Sequence, residues 1–291
     1  MSGRTRRLFS AYRRAGEAAA EAANPRPEPH AGADPTVAAF FDIDNTLIRG
    51  SSMFHLARIA AQRKLLTVRD IAGFAVAQLR FTMIGGEDLD DMAEAVEAGL
   101  SFVAGKPTSE IRALAEDVFD ELMTDKLWPG TLDLARRHLD AGEPVWLVSA
   151  SPVELASVIA ERLGFTGALG TVSEIVDGHY TGVLVGHPLH GVAKAEAVRS
   201  LAARDGLDLA RCWAYSDSAN DLPMLTTVGN PVAVNPDSDL RGQARDNGWP
   251  VYDFRRKRVM TRVGIPAAAT LAAATAVGVG AGVAVARRHS R

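Results

Sequence analysis

The sequence predicts an α/β protein with a parallel β-sheet core, a helical insertion and a hydrophobic C-terminal helix. Short apolar runs rich in aromatic and branched residues are typical of strands buried in a parallel sheet. Several of these runs end in carboxylates or hydroxyls, which belong at a sheet edge because an unpaired buried charge is very costly. The chain has 291 residues, 47% apolar and 23% charged, which fits one globular domain with an insertion and excludes a disordered chain.

Residues 1–36 are predicted to be a basic N-terminal segment followed by a linker. Arginines surround Leu8, Phe9 and Tyr12, which would share one face of a helix. Two interpretations stay open: a helix on an anionic membrane surface, or a frayed and solvated helix. No apolar core follows the arginines, so a secretory signal is not predicted. The prolines of residues 24–29 disfavour a helix and indicate a linker.

The first motif is the strand-like run Val37–Phe41 followed by Asp42 and Asp44. Both carboxylates are expected at the carboxyl end of the strand, where open α/β sheets bind ligands. Asp42 could attack a phosphorus atom and form an acyl-phosphate, with Asp44 as general acid and then general base. Mg²⁺ would neutralise the crowded anions, bound by Asp42 and the backbone carbonyl of Asp44. The alternative is an ordinary Asp-Asn turn after a strand.

A helical cap domain is predicted at residues 51–125. This stretch has no strand signal, its apolar residues recur at helical spacing, and glycines such as Gly85 and Gly105 divide it into several helices. The cap would be inserted into a catalytic core of residues 37–50 and 126–255. An insertion at this place can close over the acids and contact the substrate.

The second motif follows another predicted buried strand, Pro144–Val148. Ser149, Ala150 and Pro152 lie between this strand and a predicted helix. The Ser149 hydroxyl, backbone N–H groups at Ala150 and the helix dipole could converge on a phosphate group. The alternative is a plain Ser/Pro helix cap.

The third motif is a lysine at a helix start. Asp177-Gly178 between two strand-like runs predicts a β-hairpin, and a helix containing Lys194 follows it. In isolation such a lysine is usually a solvated surface charge. Alternatively, Lys194 is a fixed cation that reaches the phosphate and the nucleophile.

The fourth motif completes a carboxylate cluster. The strand-like run Cys212–Tyr215 is followed by Asp217, Asn220 and Asp221. Asp217 is the predicted third ligand of Mg²⁺, and Asp221 is expected to support the waters of the metal. Asn220 could donate a hydrogen bond to the phosphate or to the leaving group.

Composition limits the partners and the compartment. The net charge of −3 argues against nucleic acid as a partner. The single cysteine, Cys212, excludes an intrachain disulfide and fits a reducing compartment. Its place in an apolar run predicts a small buried thiol.

Taken in order, the four motifs resemble those of the haloacid dehalogenase (HAD) superfamily of aspartate-nucleophile phosphatases. The fourth motif of that family is usually Gly-Asp-x-x-Asn-Asp, and Ser216 replaces the leading glycine here. The cap directly after the first motif is similar to that of type IB members, which include phosphoserine phosphatases. The layout, including the tail, resembles actinobacterial phosphoserine-phosphatase-like proteins. The resemblance covers residues 37–255. It implies a Rossmann-like core, Mg²⁺ as cofactor and hydrolysis of a phosphate monoester through an aspartyl-phosphate.

Residues 264–286 carry no charge and are long enough to cross a hydrocarbon core of about 30 Å. A transmembrane helix is therefore predicted, and an Ala-rich soluble helix or a disordered tail is the alternative. The heavier basic cluster, residues 255–262, precedes this stretch and predicts that the catalytic domain stays in the cytoplasm.

The substrate is less well defined by the sequence. Phosphoserine phosphatases carry a glutamate for the substrate ammonium where this chain has Ser51, and a cap arginine for which this chain has no candidate between Arg80 and Arg112. A zwitterionic serine head would lose both charge partners. The expectation is therefore a small phosphomonoester, or alternatively a lipid phosphate hydrolysed at the membrane. A phosphotransferase with the same covalent intermediate is a near neighbour, and a non-catalytic membrane-anchored regulatory protein is the hypothesis from another class.

Overall fold

The computed structural model describes residues 3–23, 34–65 and 103–255. The helices are α1 (Gly3–Ala22), α2 (Ser52–Gln62), α3 (Thr108–Asp125), α4 (Pro129–Asp140), α5 (Val153–Leu163), α6 (Val192–Asp205), α7 (Leu222–Leu225) and α8 (Ser238–Asn247). The strands are β1 (Ala39–Asp42), β2 (Val145–Pro152), β3 (Gly167–Thr171), β4 (Ser173–Val176), β5 (His179–Leu184), β6 (Trp213–Ser216), β7 (Asn230–Val234) and β8 (Val251–Tyr252). A 3₁₀ turn, Ala219–Asp221, precedes α7.

The core is a parallel sheet with the strand order β3-β2-β1-β6-β7-β8. The central strand β1 pairs with β2 on one side and with β6 on the other. The register sets Asp42 beside Val148 and Phe41 beside Tyr215. The predicted α/β fold with a parallel sheet core is therefore confirmed, and the strands that carry three of the four motifs are neighbours.

Alternate side chains of the central strands fill the two faces of the sheet. Phe40 packs with Trp146 in one buried cluster, and Phe41 packs with Leu147 and Tyr215 in the other. The rings of Phe41 and Tyr215 are stacked with their centroids 4.1 Å apart. Both faces are buried, which is why these strands read as continuous apolar runs rather than as alternating ones.

The N-terminal helix α1 is part of the fold. Tyr12, Ala15 and Ala19 are buried, and the Arg204 guanidinium of α6 donates to the Ala20 carbonyl oxygen at the end of α1, 2.5 Å away. The interpretation as a frayed, solvated helix was wrong, because one face of α1 is covered by the core. The predicted linker at 24–29 lies outside the described residues.

We expect Gly16→Ala in α1 to destabilise the protein, although alanine is the better helix former by about 1 kcal/mol. A Cβ atom at Gly16 would lie 2.6 Å from the carbonyl carbon of Glu196 in α6, and overpacking of this kind costs about 1–3 kcal/mol. Thermal unfolding measures the change. The matched control is Gly242→Ala in α8, where the new Cβ would have no neighbour within 4 Å and should stabilise the helix. Stabilisation by both variants would contradict the close crossing of α1 and α6.

The described parts of the predicted cap are the helices α2 and α3. The His55 Nδ1 atom of α2 lies 2.7 Å from the Glu121 Oε1 atom of α3, which ties the two helices together. The chain leaves the core and returns to it through paired segments, since the Arg49 N–H donates to the Lys126 carbonyl at 2.7 Å. The helical character is thus found at both ends of the insertion. Its boundaries, 51–125, stay a prediction, and residues 66–102 lie outside the described part of the chain.

The predicted hairpin is formed by β4 and β5, which pair antiparallel. Asp177 and Gly178 have φ angles of +48° and +77°, the left-handed conformation that a tight hairpin turn requires at both positions. The hairpin predicted from the Asp177-Gly178 pair is therefore confirmed.

The predicted transmembrane helix at 264–286 lies outside the described residues. Within residues 3–23, 34–65 and 103–255, no helix combines the length and the apolar character needed to span a bilayer. Membrane anchoring and the cytoplasmic side of the catalytic domain therefore stay predictions from the sequence.

Candidate active site

The predicted site residues gather at the carboxyl end of the central strands. Asp42 is the last residue of β1, Ser149 lies in the last half of β2, and Asp217 follows the end of β6. Lys194 enters from the first turn of α6. Since the three strands are parallel neighbours, their carboxyl ends form one edge, which brings together residues that are far apart in the chain.

Lys194 lies between two aspartates and forms with them an acid–lysine cluster of Asp42, Lys194 and Asp221. Its Nζ atom is 2.5 Å from Asp42 Oδ1 and 2.8 Å from Asp221 Oδ2. The Ser216 hydroxyl also donates to Asp221 Oδ2, at 2.7 Å. All of these side chains are buried. Burial alone would lower the pKa of Lys194, but Asp221 and Asp42 more than offset it, so the pKa is raised and the ammonium stays charged.

The geometry decides between the two interpretations of Lys194. Lys194 is only 4% exposed, so a solvated surface charge is excluded. An ammonium buried between carboxylates gains charge-assisted hydrogen bonds that offset its desolvation. The order of the motifs along the chain was the sequence signal that pointed to this residue.

The carboxylates carry more negative charge than Lys194 can balance. Burial, followed by the other nearby carboxylates, raises the pKa of Asp42 to about 7 in spite of the opposing effect of Lys194. Burial and the charges of Asp42 and Asp221 raise the pKa of Asp217 to about 8. Such shifts mean that the ionised cluster is unfavourable by itself, and a further cation would relieve the repulsion.

Asp44 is held by the first residue of α2. The Ser52 N–H donates to Asp44 Oδ1 at 2.8 Å. Burial raises the pKa of Asp44, and the hydrogen bonds from Ser52 oppose that rise. The loop between them is shaped by Asn45, which has a φ angle of +55° and whose side-chain oxygen accepts from the Gly50 N–H at 3.1 Å. These contacts give the Asp44 carboxyl a fixed position beside the end of β1.

The second motif presents a buried hydroxyl next to an exposed backbone segment. Ser149 is 2% exposed, and its Oγ atom accepts from the Ser151 N–H at 3.1 Å, which leaves the Ser149 O–H as a donor. Ala150 is exposed, and its carbonyl accepts from the Thr171 hydroxyl at 2.6 Å. The carbonyl is thus directed to β3, and a neighbouring N–H group can face a ligand.

The fourth motif is fixed by contacts from two loops. The Thr46 hydroxyl donates to Asp217 Oδ1 at 3.4 Å, and the Asp237 N–H donates to the Asp217 carbonyl at 2.8 Å. Asn220 lies in the 3₁₀ turn and is exposed. Its side chain is therefore not drawn into the acid–lysine cluster and is available to a ligand at the rim.

The residues present fit a divalent cation of the predicted kind. Within the described ranges, no three His, Cys, Asp or Glu side chains are arranged to hold a metal. The predicted metal site needs only two such side chains, because it combines the carboxylates of Asp42 and Asp217 with the backbone carbonyl of Asp44. The excess negative charge and the all-oxygen donors suit Mg²⁺. Asp221 was expected to support the waters of the metal; its Oδ2 atom is held by Lys194 and Ser216, and the role toward a metal stays a prediction.

Sequence reasoning missed several polar residues that organise the site. Ser52 and Ser151 form a hydroxyl pair with their Oγ atoms 2.5 Å apart, and Asp237 accepts from the Ala219 N–H at 3.0 Å. In the sequence, each lies in a short Ser- or Asp-rich stretch next to a helix start, which is equally typical of an ordinary helix cap. The only available signal was their nearness in sequence to a motif residue.

The family model described as haloacid dehalogenase-like hydrolase matches residues 39–226, more than half of the chain. The chain therefore belongs to the haloacid dehalogenase-like hydrolase family. The predicted family is confirmed, and the matched range begins at β1 and ends just after the fourth motif.

Similar proteins and solved structures indicate which hydrolases of this family the chain resembles. The chain is 54% identical over 241 residues to phosphoserine phosphatase SerB1 of Mycobacterium tuberculosis (strain ATCC 25618 / H37Rv), covering 83% of this chain and 78% of that protein. A crystal structure of a protein with unknown function from Bordetella pertussis Tohama I aligns with a TM-score of 0.67 and 30% identity, covering 75% of this chain and 98% of that one. A phospho-aspartyl intermediate analogue of phosphoserine phosphatase aligns with a TM-score of 0.52 and 20% identity, over 76% and 94%; this likeness concerns the fold alone. The predicted resemblance to phosphoserine phosphatases and the enzyme class, a phosphoric monoester hydrolase, are thus confirmed.

Proposed function

We propose that this protein is a Mg²⁺-dependent phosphatase that hydrolyses a phosphate monoester through an aspartyl-phosphate formed on Asp42. The observation that carries the proposal is the acid–lysine cluster at the end of β1. Lys194 lies 2.5 Å from Asp42, and Asp44, two residues further on, is held in place by the Ser52 N–H. This arrangement supports a nucleophile, a fixed cation and an acid/base group that would act on one phosphoryl group.

In the first step an Asp42 carboxylate oxygen attacks phosphorus, and the bond to the leaving oxygen breaks. Asp44 in its protonated form gives its proton to that oxygen, so the substrate alcohol leaves neutral. In the second step Asp44, now a carboxylate, takes a proton from water, and the water oxygen attacks phosphorus and releases Asp42. Burial raises the pKa of Asp44 above its ordinary value, which favours the protonated form that the first step needs.

The remaining site residues would bind the transferred group. Lys194 would balance charge on the phosphoryl oxygens, and Ser149 and an N–H group at Ala150 would donate hydrogen bonds to them. Asn220 would contact the substrate at the rim. When bound by Asp42, Asp217 and the Asp44 carbonyl, Mg²⁺ would supply further neutralisation of the phosphoryl oxygens.

The charge of the site gives a testable dependence of stability on pH. Because the pKa values of Asp42 and Asp217 in the folded protein are raised, to about 7 and about 8, the folded state binds these protons more tightly than the unfolded state. Their contribution to stability is complete below the ordinary carboxyl range and is lost as pH rises toward about 8. Lys194 stays charged over this range and adds no slope.

We therefore expect the Tm of the metal-free protein to fall by several degrees between pH 5 and pH 9, and Mg²⁺ to restore it at pH 8 but not at pH 5. Asp217→Asn should raise the metal-free Tm at pH 8 and remove most of the response to Mg²⁺. The exposed Asp133, which pairs with Arg136, supplies the control Asp133→Asn, expected to behave like the wild type. A metal-free Tm independent of pH would contradict the raised pKa values.

The substrate is proposed to be a small phosphomonoester, and phosphoserine is the first compound to test because of the relatives' names. One structural feature limits this choice. Ser51, at the place of the ammonium-binding glutamate in phosphoserine phosphatases, caps α2 by accepting from the Phe54 N–H at 3.4 Å. A cap serine supplies no charge to an ammonium group, so other residues would have to recognise a serine head.

The two alternatives receive no support from the described residues. The lipid phosphate alternative depended on the tail at 264–286, which the structure does not describe. The regulatory alternative would leave the carboxylates of Asp42, Asp44 and Asp217 without a purpose, since clustered carboxylates repel one another in the absence of a cation.

The test is phosphate release by the full chain with Mg²⁺ on a panel of phosphoserine, sugar phosphates, glycerol phosphate, nucleotides, short-chain lipid phosphates and p-nitrophenyl phosphate. Release from at least one alkyl phosphate, abolished by a metal chelator, is the expected result. A simple alcohol added to the assay separates hydrolase from phosphotransferase, because a transferase would form a new ester. A folded protein that releases no phosphate from any compound would overturn the proposal.

A further inference from the structure

A chain of hydrogen bonds joins the two ends of the proposed site. The Ser52 N–H donates to Asp44 Oδ1 at 2.8 Å, and the Oγ atoms of Ser52 and Ser151 lie 2.5 Å apart. The Ser151 N–H then donates to Ser149 Oγ at 3.1 Å. The proposed acid/base group and the proposed phosphoryl-binding hydroxyl are thus connected through a hydroxyl pair that neither role requires.

The hydroxyl pair is buried, so the loss of either hydroxyl would destabilise the protein. Ser52 is fully buried and Ser151 is 1% exposed. Ser52 is the first residue of α2 and Ser151 lies near the end of β2, so the pair fastens the start of the helical insertion to the sheet. Removing one hydroxyl would leave the other buried without its partner, which costs about 1–3 kcal/mol unless the chain moves. The lost contact lies at the start of α2, whose first backbone N–H is the one that donates to Asp44.

We infer that Ser151, acting through Ser52, is a positioning residue that orients the Asp44 carboxyl for proton transfer to the leaving oxygen. The inference rests on the proposed function. Asp44 receives its hydrogen bond from the backbone of Ser52, and the position of that backbone is set by the bond between Ser52 and Ser151. Loss of the Ser151 hydroxyl lets the start of α2 shift, and a small misplacement of an acid costs a large part of its contribution.

A displaced general acid has a signature that a merely unstable protein lacks. An alkyl phosphate releases a strongly basic alkoxide, which needs a proton as the bond to phosphorus breaks. p-Nitrophenyl phosphate releases a stable phenolate, which needs none. The second step is common to both esters, but kcat/KM reports only the first step. Misplacing Asp44 should therefore lower kcat/KM much more for the alkyl ester than for p-nitrophenyl phosphate, whereas partial unfolding or loss of phosphoryl binding would lower kcat/KM of both esters equally.

The experiment compares kcat/KM of the full-length wild type and Ser151→Ala for two esters, p-nitrophenyl phosphate and the alkyl phosphate that the panel ranks first. A positioned general acid contributes about 10²–10⁴-fold, so we expect a fall of about 10–100-fold for the alkyl ester, mostly in kcat, and of less than about 3-fold for p-nitrophenyl phosphate. Ser151→Thr keeps a hydroxyl and should restore most of the alkyl activity. Ser157→Ala, a half-buried serine of α5, is the matched control and should leave both rates unchanged.

The outcomes separate the two proposals. An equal fall for both esters, or no fall for either, overturns the role of Ser151 while the phosphatase proposal stands. If Ser151→Ala fails to fold by circular dichroism, Ser52→Ala must show the same selective loss, and its absence overturns the inference. If the wild type hydrolyses neither ester, the proposed function fails and the positioning role fails with it.

Discussion

Asp42→Asn is expected to lower phosphate release by about 10³-fold or more. Asp42 is 5% exposed, it is the last residue of the central strand, and its carboxylate contacts Lys194. An amide oxygen can still accept from Lys194, but an amide cannot form the acyl-phosphate. The fall should appear in kcat for every ester, p-nitrophenyl phosphate included, because the attack on phosphorus does not depend on the leaving group's need for a proton.

This variant should remain folded, which makes the loss of activity interpretable. Burial raises the pKa of Asp42 to about 7, so replacing the carboxylate with a neutral amide removes a charge that is costly at pH 8. We expect an unchanged or higher Tm at that pH. As a direct readout, wild-type protein quenched during turnover should carry phosphate that hydroxylamine releases, and Asp42→Asn should carry none. Activity above about 1% of wild type would contradict a nucleophile at this position.

Lys194→Met is expected to have the second-largest effect, on catalysis and on stability together. Removing one partner of a buried ion pair costs about 3–5 kcal/mol, because the remaining charges lose their compensation. Loss of a fixed donor to a developing phosphoryl charge typically costs about 10²–10³-fold in kcat. The fall in Tm should be larger at pH 8 than at pH 5, since Asp42 can take up a proton at the lower pH.

Two further variants make this result specific. Lys194→Arg keeps the charge, but a planar guanidinium does not match a site built for a compact ammonium between two carboxylates, so little activity should return. Lys126 is partly exposed and pairs with Asp125 at the surface. Lys126→Met should change the free energy of unfolding by less than about 0.5 kcal/mol. A wild-type kcat for Lys194→Met would contradict the proposed role of Lys194 in phosphoryl transfer.

The sequence predicted correctly where some of these side chains lie in the fold, and they are the ones with a local signature. Asp42 and Asp217 each follow a short apolar run, and a buried parallel strand is the structure that such a run favours. Because parallel strands end at one edge, the order of the motifs was enough to predict that these acids meet. The Asp177-Gly178 turn was equally local, since its two left-handed positions depend only on these two residues.

The cation that balances the charge of the acids and the hydrogen bonds that hold them are visible only in the tertiary structure. Lys194 and Asp42 are 152 positions apart in the chain, and Ser52 and Ser151 are 99 apart. No periodicity encodes such contacts, because they depend on how a helix and a loop pack against the sheet edge. The same holds for α1. Its alanines and Gly16 are compatible in sequence with a solvated helix, and only the packing against α6 shows that one face of the helix is buried. By itself the sequence determined which chemical groups are present and at which edge of the sheet they lie; packing determined their pKa values, their hydrogen bonds and their orientation, because burial and distance set electrostatic energies.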